Sequence, residues 1–259
     1  MNRKHDMERE ERQWQNMDEL LAHIGSDFSV MEEEVDVHIQ QEFMRLMGKL
    51  TQTPETFKQL CTTYQEHIND LFDDTVSNEE KKKMLVVLCT LDDVATYRAI
   101  ESYHKTNTAL QKWATIALQQ SRMVIQSALS GESTVFVSTG LGGQGTLLRY
   151  FCVYLIQEGT TLQPFQYDIV CKETELAVNH AEGRIEQCEN HEKFITILLL
   201  LPLKTHLKNL FEAVIDECNT YGHFLQENMI ITNVKKLSTT EIEHLLTSKH
   251  VSPPTPTSD

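Results

Sequence analysis

Four of the ten glycines in this chain of 259 residues fall between positions 140 and 145, inside the stretch STVFVSTGLGGQGTLLRY at 133–150. Such a cluster marks backbone that bends sharply or passes very close to something, because glycine tolerates both. The β-branched and aromatic run before it, TVFV at 134–137, reads as a strand. The segment after it, 147–157, reads as a helix closed by Gly159. What surrounds this loop decides whether the glycines serve geometry or chemistry.

Upstream, residues 1–130 hold a single proline, Pro54, and apolar residues recur every three or four positions, as amphipathic helices require. Trp14, Met17, Leu20, Leu21 and Ile24 form a first stripe ended by Gly25. Val30, Val35, Ile39, Phe43, Leu46, Met47 and Leu50 form a second. Thr53-Pro54-Glu55 is a helix start, with Thr53 as the cap and proline in the first turn. Ser77 with Glu80 is a capping box that opens a stripe through Met84, Leu85, Leu88 and Leu91. A break is expected near Asp92-Asp93 or at 105–107, and LQKWATIALQQSRMVIQSAL at 110–129 then forms a long helix. The small and aliphatic residues around Ala114, Ala117 and Leu118 resemble the second helix of a HEAT-type repeat, which implies a protein-binding scaffold with no catalytic residues.

Downstream, helical spacing covers 165–180, and a polar/apolar alternation at 184–189 leads into a turn at 189–192. The run 194–201 is nearly all apolar and stops at Pro202, the composition of a strand buried on both faces. A helix at 207–218, a strand at 229–234 and a short helix at 239–246 follow. The order β-α-α-β-β-α-β-α resembles a ferredoxin-like sandwich. That resemblance implies central strands at 134–137 and 194–201, with edges at 184–189 and 229–234. The expected fold class is therefore α + α/β: a helical, HEAT-like domain over 1–130, a ferredoxin-like α/β domain over 131–248, and a disordered tail over 249–259.

Gly140-Leu-Gly142-Gly143-Gln-Gly145 satisfies G-x-G-x-x-G between a strand and an expected helix, the context of a dinucleotide-binding turn. If a helix begins there, the N–H groups of Gln144, Gly145 and Thr146, the Thr146 hydroxyl and the Arg149 guanidinium would face an anion. The acidic residue that a dinucleotide site needs some 20 positions on has no suitable candidate, since Glu158 and Asp168 fall at a helix end and in a helix. Read instead as a phosphate-binding P-loop, 140–146 lacks the lysine. The geometric reading leads: the glycines let the chain turn and let elements pack closely. The ligand-binding reading keeps Gly140, Gly142, Gly143, Gln144, Gly145, Thr146 and Arg149 as candidates.

A formal net charge of −15 opposes phosphate backbones and anionic membranes, so neither nucleic acid nor membrane is expected as a partner. Lys81-Lys82-Lys83 is the one basic run, and it reads as a helix surface, as Glu32-Glu33-Glu34 and Asp73-Asp74 read as solvated charge. The charged first residues carry no signal-peptide core, and the six scattered cysteines read as free thiols of a cytoplasmic protein. Cys171, His180, Cys188 and His191 do not have zinc-finger spacing. No catalytic residue, metal or cofactor is expected. The leading expectation is a non-enzymatic interaction or regulatory protein with a protein partner, compatible with oligomerisation. The alternative is a phosphate- or nucleotide-binding enzyme built on the glycine loop.

Overall fold

Local signals start most of the helices where the sequence places them. The computed structural model describes residues 28–106, 109–131 and 135–248. The Trp14–Ile24 stripe and the 249–259 tail lie outside them. Helix α1 (Val37–Leu50) begins where the Asp36 carboxylate accepts from the His38 N–H at 2.7 Å. Helix α2 (Pro54–Glu66) has its proline in the first turn, but Thr53 caps by position only and makes no side-chain bond. A 3₁₀ turn (Ile68–Phe72) leads to α3 (Asn78–Leu88), where Ser77 Oγ accepts from the Glu80 N–H at 3.2 Å. The Glu80 carboxylate does not close the box; it accepts from the Tyr64 hydroxyl at 2.5 Å and from Lys83 at 2.9 Å. Asp93 caps α4 (Val94–Thr106), and α5 (Gln111–Ser130) ends at Gly131 with φ +71°, the left-handed closure that glycine favours.

These five helices share one core. Phe43, Met84, Leu85, Leu88, Ile100 and Ala114 are buried in it, and the Phe43 and Trp113 rings meet at 5.5 Å. The lysine run is largely engaged: Lys81 is buried, Lys82 lies 4.9 Å over the Trp113 ring, and Lys83 pairs with Glu80.

The second half is α+β. Strand β4 (Leu147–Ile156) lies beside β6 (Phe194–Pro202) at the centre of an antiparallel sheet, with β5 (Arg184–Asn190) outside β6 and β7 (Leu225–Thr232) outside β4. Helix α6 (Pro164–His180) joins β4 to β5, α7 (Leu207–Asn219) joins β6 to β7, and α8 (Thr239–Ser248) follows. Two β-α-β units result, with the strands in the order β7-β4-β6-β5. Alternation along the strands separates two cores. Leu148, Tyr150, Cys152 and Tyr154 of β4 face Val170 of α6 and Phe211 and Ile215 of α7, while Phe151, Val153 and Leu155 face Ile242 of α8.

Two expectations are corrected here. The segment 147–157 is not a helix but the central strand. Its sequence, LLRYFCVYLI, is apolar at almost every position, so it satisfies a helical period and a doubly buried strand alike. The strand at 134–137 is not central either. Residues Val135–Val137 (β2) pair in parallel with Phe28–Val30 (β1) in a separate two-stranded sheet, so Val30 leaves the helical stripe expected for it. The helix expected at 165–180 is the crossover between β4 and β5.

The cysteines depart from six free thiols. Cys171 of α6 and Cys188 of β5 form a disulfide, which uses the two sulfurs of the weighed metal set on each other. Cys61, Cys89, Cys152 and Cys218 are free, the last three buried.

Candidate functional site

The glycine loop is a backbone junction. Residues 138–142 lead into the two-residue strand β3 (Gly143–Gln144), which turns through Gly145 and Thr146 straight into β4. Gly143 lies opposite Leu148 and Gln144 opposite Leu147, with φ +59° at Gly145. That is a two-residue hairpin whose first turn residue needs a positive φ. No helix begins at Thr146, so the N–H groups of Gln144, Gly145 and Thr146 do not form the helix terminus that the phosphate-binding reading requires.

Each of the first three glycines lets backbone pass backbone. A Cβ at Gly140 would lie 1.7 Å from the Val234 carbonyl oxygen. At Gly142, with φ +67°, it would lie 2.8 Å from each of the Met31, Glu32 and Glu33 carbonyl oxygens, and at Gly143 it would lie 2.1 Å from that of Leu147. The loop wedges in where β4 and β7 splay apart: the Leu141 N–H donates to Asn233 O at 3.0 Å and the Arg149 N–H to Gly142 O at 3.0 Å. The strand segment at 28–31 closes over it, with the Val30 N–H donating to Gly145 O and the Met31 N–H to Val137 O, both at 3.1 Å.

Arg149, the expected anion-binding cation, is engaged inside the molecule. Its Nε and Nη2 donate to the two Glu186 carboxylate oxygens at 2.5 and 2.9 Å, a bidentate pair across β6, and Nη1 donates to Leu141 O at 2.8 Å. The paired guanidinium holds the Glu186 carboxyl below the usual carboxylate range. Arg149 therefore ties the sheet to the loop and neutralises its own charge there. The helical half is fastened to the same place. Gln40 Nε2 donates to Thr139 O at 3.2 Å, Ser138 Oγ donates to Gln40 Oε1 at 2.6 Å, and Thr115 Oγ1 donates to the Glu33 carboxylate at 3.1 Å.

Three of the four free thiols are muted. Burial pushes the thiols of Cys89 and Cys152 far up and that of Cys218 up to about 12, which leaves them protonated at neutral pH.

Sequence reasoning missed a groove of about 550 Å³ between α7 and β7. Leu207, Phe211 and Ile215 of α7 form one wall and Met229 and Ile231 of β7 the other, with Leu148 and Tyr150 of β4 at the floor and Lys208, Glu212 and Glu227 at the rim. It opens beside β7, which pairs with β4 on one side and with no other described strand on the other. One signal for it was present: MIIT at 229–232 is uncharged with apolar residues on both faces, unusual for an edge.

Among the described residues no helix is long and apolar enough to cross a membrane. No family model matches the sequence, and comparison with characterised proteins finds no match. Among solved structures the chain is similar to a candidate transposase from Deinococcus radiodurans R1, at 9% identity and a TM-score of 0.35, over 41% of this chain and 93% of that one. A likeness that distant carries no argument.

Proposed function

We propose that this chain is a non-enzymatic protein-interaction protein that binds by strand addition to β7, with the α7–β7 groove taking side chains of the added strand. The observation that supports it is an outer strand edge, uncharged over Met229–Thr232, beside an apolar groove along the same strand. Backbone hydrogen bonds along such an edge give affinity, and alternate side chains in the groove give selectivity. Selection of displayed random peptides on the full chain, immobilised sparsely, is expected to enrich extended segments with apolar residues at alternate positions. Leu207→Asp puts a carboxylate into the groove wall at a helix N-terminus that tolerates it, so the fold should persist. Binding of the enriched peptides should fall at least ~tenfold, about 1.4 kcal/mol. Enrichment of nothing, or equal binding by Leu207→Asp, sinks the reading.

We place the chain in the cytoplasm, supported by four free cysteines, three of them buried. Alkylation trapping in intact cells decides: a reducing cytoplasm should open the Cys171–Cys188 bridge to two thiols, and a bridge trapped oxidised moves the chain to an oxidising compartment.

A further inference from the structure

Glu186, the carboxylate that holds Arg149, sits at the least supported point of β5. Ile185 lies opposite Leu199 and Gln187 opposite Leu198 on β6, so Glu186 between them is the extra residue of a bulge. Strand β5 is also an outer strand, with β6 its one described neighbour. The ladder therefore does little to fix that carboxylate in place. Two residues on, Cys188 packs on the α6 side of the strand and is joined to Cys171 of α6. Among the described residues this is the one covalent cross-link between β5 and the helix layer, and it lies beside the bulge.

The position of this bond makes it exchangeable. Cys171 and Cys188 are both half-buried, within reach of a dissolved thiolate, whereas Cys152 and Cys218 of the same half are buried. Opening it does not send the two sulfurs apart. Only residues 181–183 separate α6 from β5, and the Tyr167 hydroxyl on α6 donates to the Cys188 carbonyl at 2.9 Å. Held in that way, the two thiols stay opposed at high effective concentration and close again readily. In opening, the thiolate of a small-molecule thiol such as glutathione attacks one sulfur, and the Sγ–Sγ bond breaks. The other cysteine leaves as a thiolate and takes up a proton. A second small-molecule thiol then resolves the mixed disulfide, so two protein thiols form as two small thiols become one disulfide. Closing is the reverse, with that small-molecule disulfide as the oxidant. We infer that Cys171 and Cys188 are a reversible dithiol–disulfide latch for the glycine loop. Closed, it steadies the Glu186 bulge against Arg149, whose guanidinium also holds the Leu141 carbonyl. Open, β5 loosens at the bulge and the loop loosens with it. The latch is at the sheet edge opposite β7, so a failed peptide selection at β7 leaves it standing.

Full-length protein equilibrated in glutathione buffers of graded thiol-to-disulfide ratio, then alkylated and mapped by mass spectrometry, tests the exchange. Titrations begun from reduced and from oxidised protein should reach the same bridged fraction at each ratio, with Cys152 and Cys218 unalkylated throughout. A bridge that resists glutathione or does not re-form overturns the latch. So does alkylation of Cys152 or Cys218 on reduction, because the sheet half then unfolds without the bridge. Hydrogen exchange tests the coupling: amides at 138–146 should exchange at least ~tenfold faster in reduced wild type and in Cys171→Ser than in the bridged protein. Glu186→Ala severs the link to Arg149, so in that variant the redox state should still alter exchange at 184–190 but no longer at 138–146. Equal exchange at 138–146 in bridged and reduced wild type overturns the coupling. A redox effect there that survives Glu186→Ala overturns its route through Glu186.

Discussion

Gly140→Ala should be the most damaging methyl group that can be added to this protein, lowering stability by roughly 3 kcal/mol or more. The new carbon would sit 1.7 Å from the Val234 carbonyl oxygen, which is backbone just past the end of β7 and cannot swing aside as a side chain would. Either 233–234 moves away, breaking the Leu141 N–H to Asn233 O bond, or the loop withdraws from between β4 and β7. Gly142→Ala should follow closely, because it meets three carbonyl oxygens and a left-handed φ together. Two other glycines calibrate the effect. Gly145→Ala meets no atom within 4 Å but keeps φ +59°, so it should lose about 1 kcal/mol from conformation alone. Gly48→Ala, inside α1 with no neighbour within 4 Å, should gain about 0.5–1 kcal/mol. Urea midpoints of the four variants check the ranking. A Gly140→Ala midpoint as mild as that of Gly145→Ala would mean the loop is not wedged between the strands.

The same loop shows where sequence reasoning succeeds and fails. The glycines were legible as a place of sharp bending and close approach, because that follows from the missing Cβ. What they approach was not, since Val234 and the carbonyls of 31–33 are about a hundred residues away along the chain. The helices with one apolar stripe and a start signal, such as Pro54–Glu66 and Asn78–Leu88, could be read because a 3.6-residue period and a helix-start residue are local. The strand Phe194–Pro202 was legible from its own composition, bounded by proline. Leu147–Ile156 has much the same composition, but Arg149 and two tyrosines at Tyr150 and Tyr154 let a helical face be drawn through it. Misreading that one segment supplied the false helix start that made the loop look like a phosphate site. The α7–β7 groove needed residues from three elements brought together by the sheet order, and no local pattern carries that.

Replacing Arg149 tests the junction from its polar side. Arg149→Met keeps the length of the apolar stem but leaves the Glu186 carboxylate and the Leu141 carbonyl without their donors. The Arg149 and Glu186 side chains are 19% and 24% exposed, between a surface pair worth under ~1 kcal/mol and a buried one whose rupture costs about 3–5. A loss of about 2 kcal/mol is therefore expected, with Glu186→Gln milder because an amide still accepts from the guanidinium. The double variant should be less destabilised than the sum of the two, since Arg149→Met no longer strands a charge once Glu186 is neutral. Acid gives an independent check with a fixed sign. Arg149 lowers the folded-state pKa of Glu186, so between that value and the ordinary carboxylate value near ~4.3 the unfolded chain binds more protons. Stability from the pair is thus complete above the ordinary value and is lost as pH falls through the folded one. Wild type should lose more stability than Glu186→Gln on acidification across that window. Parallel acid limbs for the two proteins would show that the carboxylate at 186 is not held by Arg149, and the loop would then lack the cation that anchors it to the sheet.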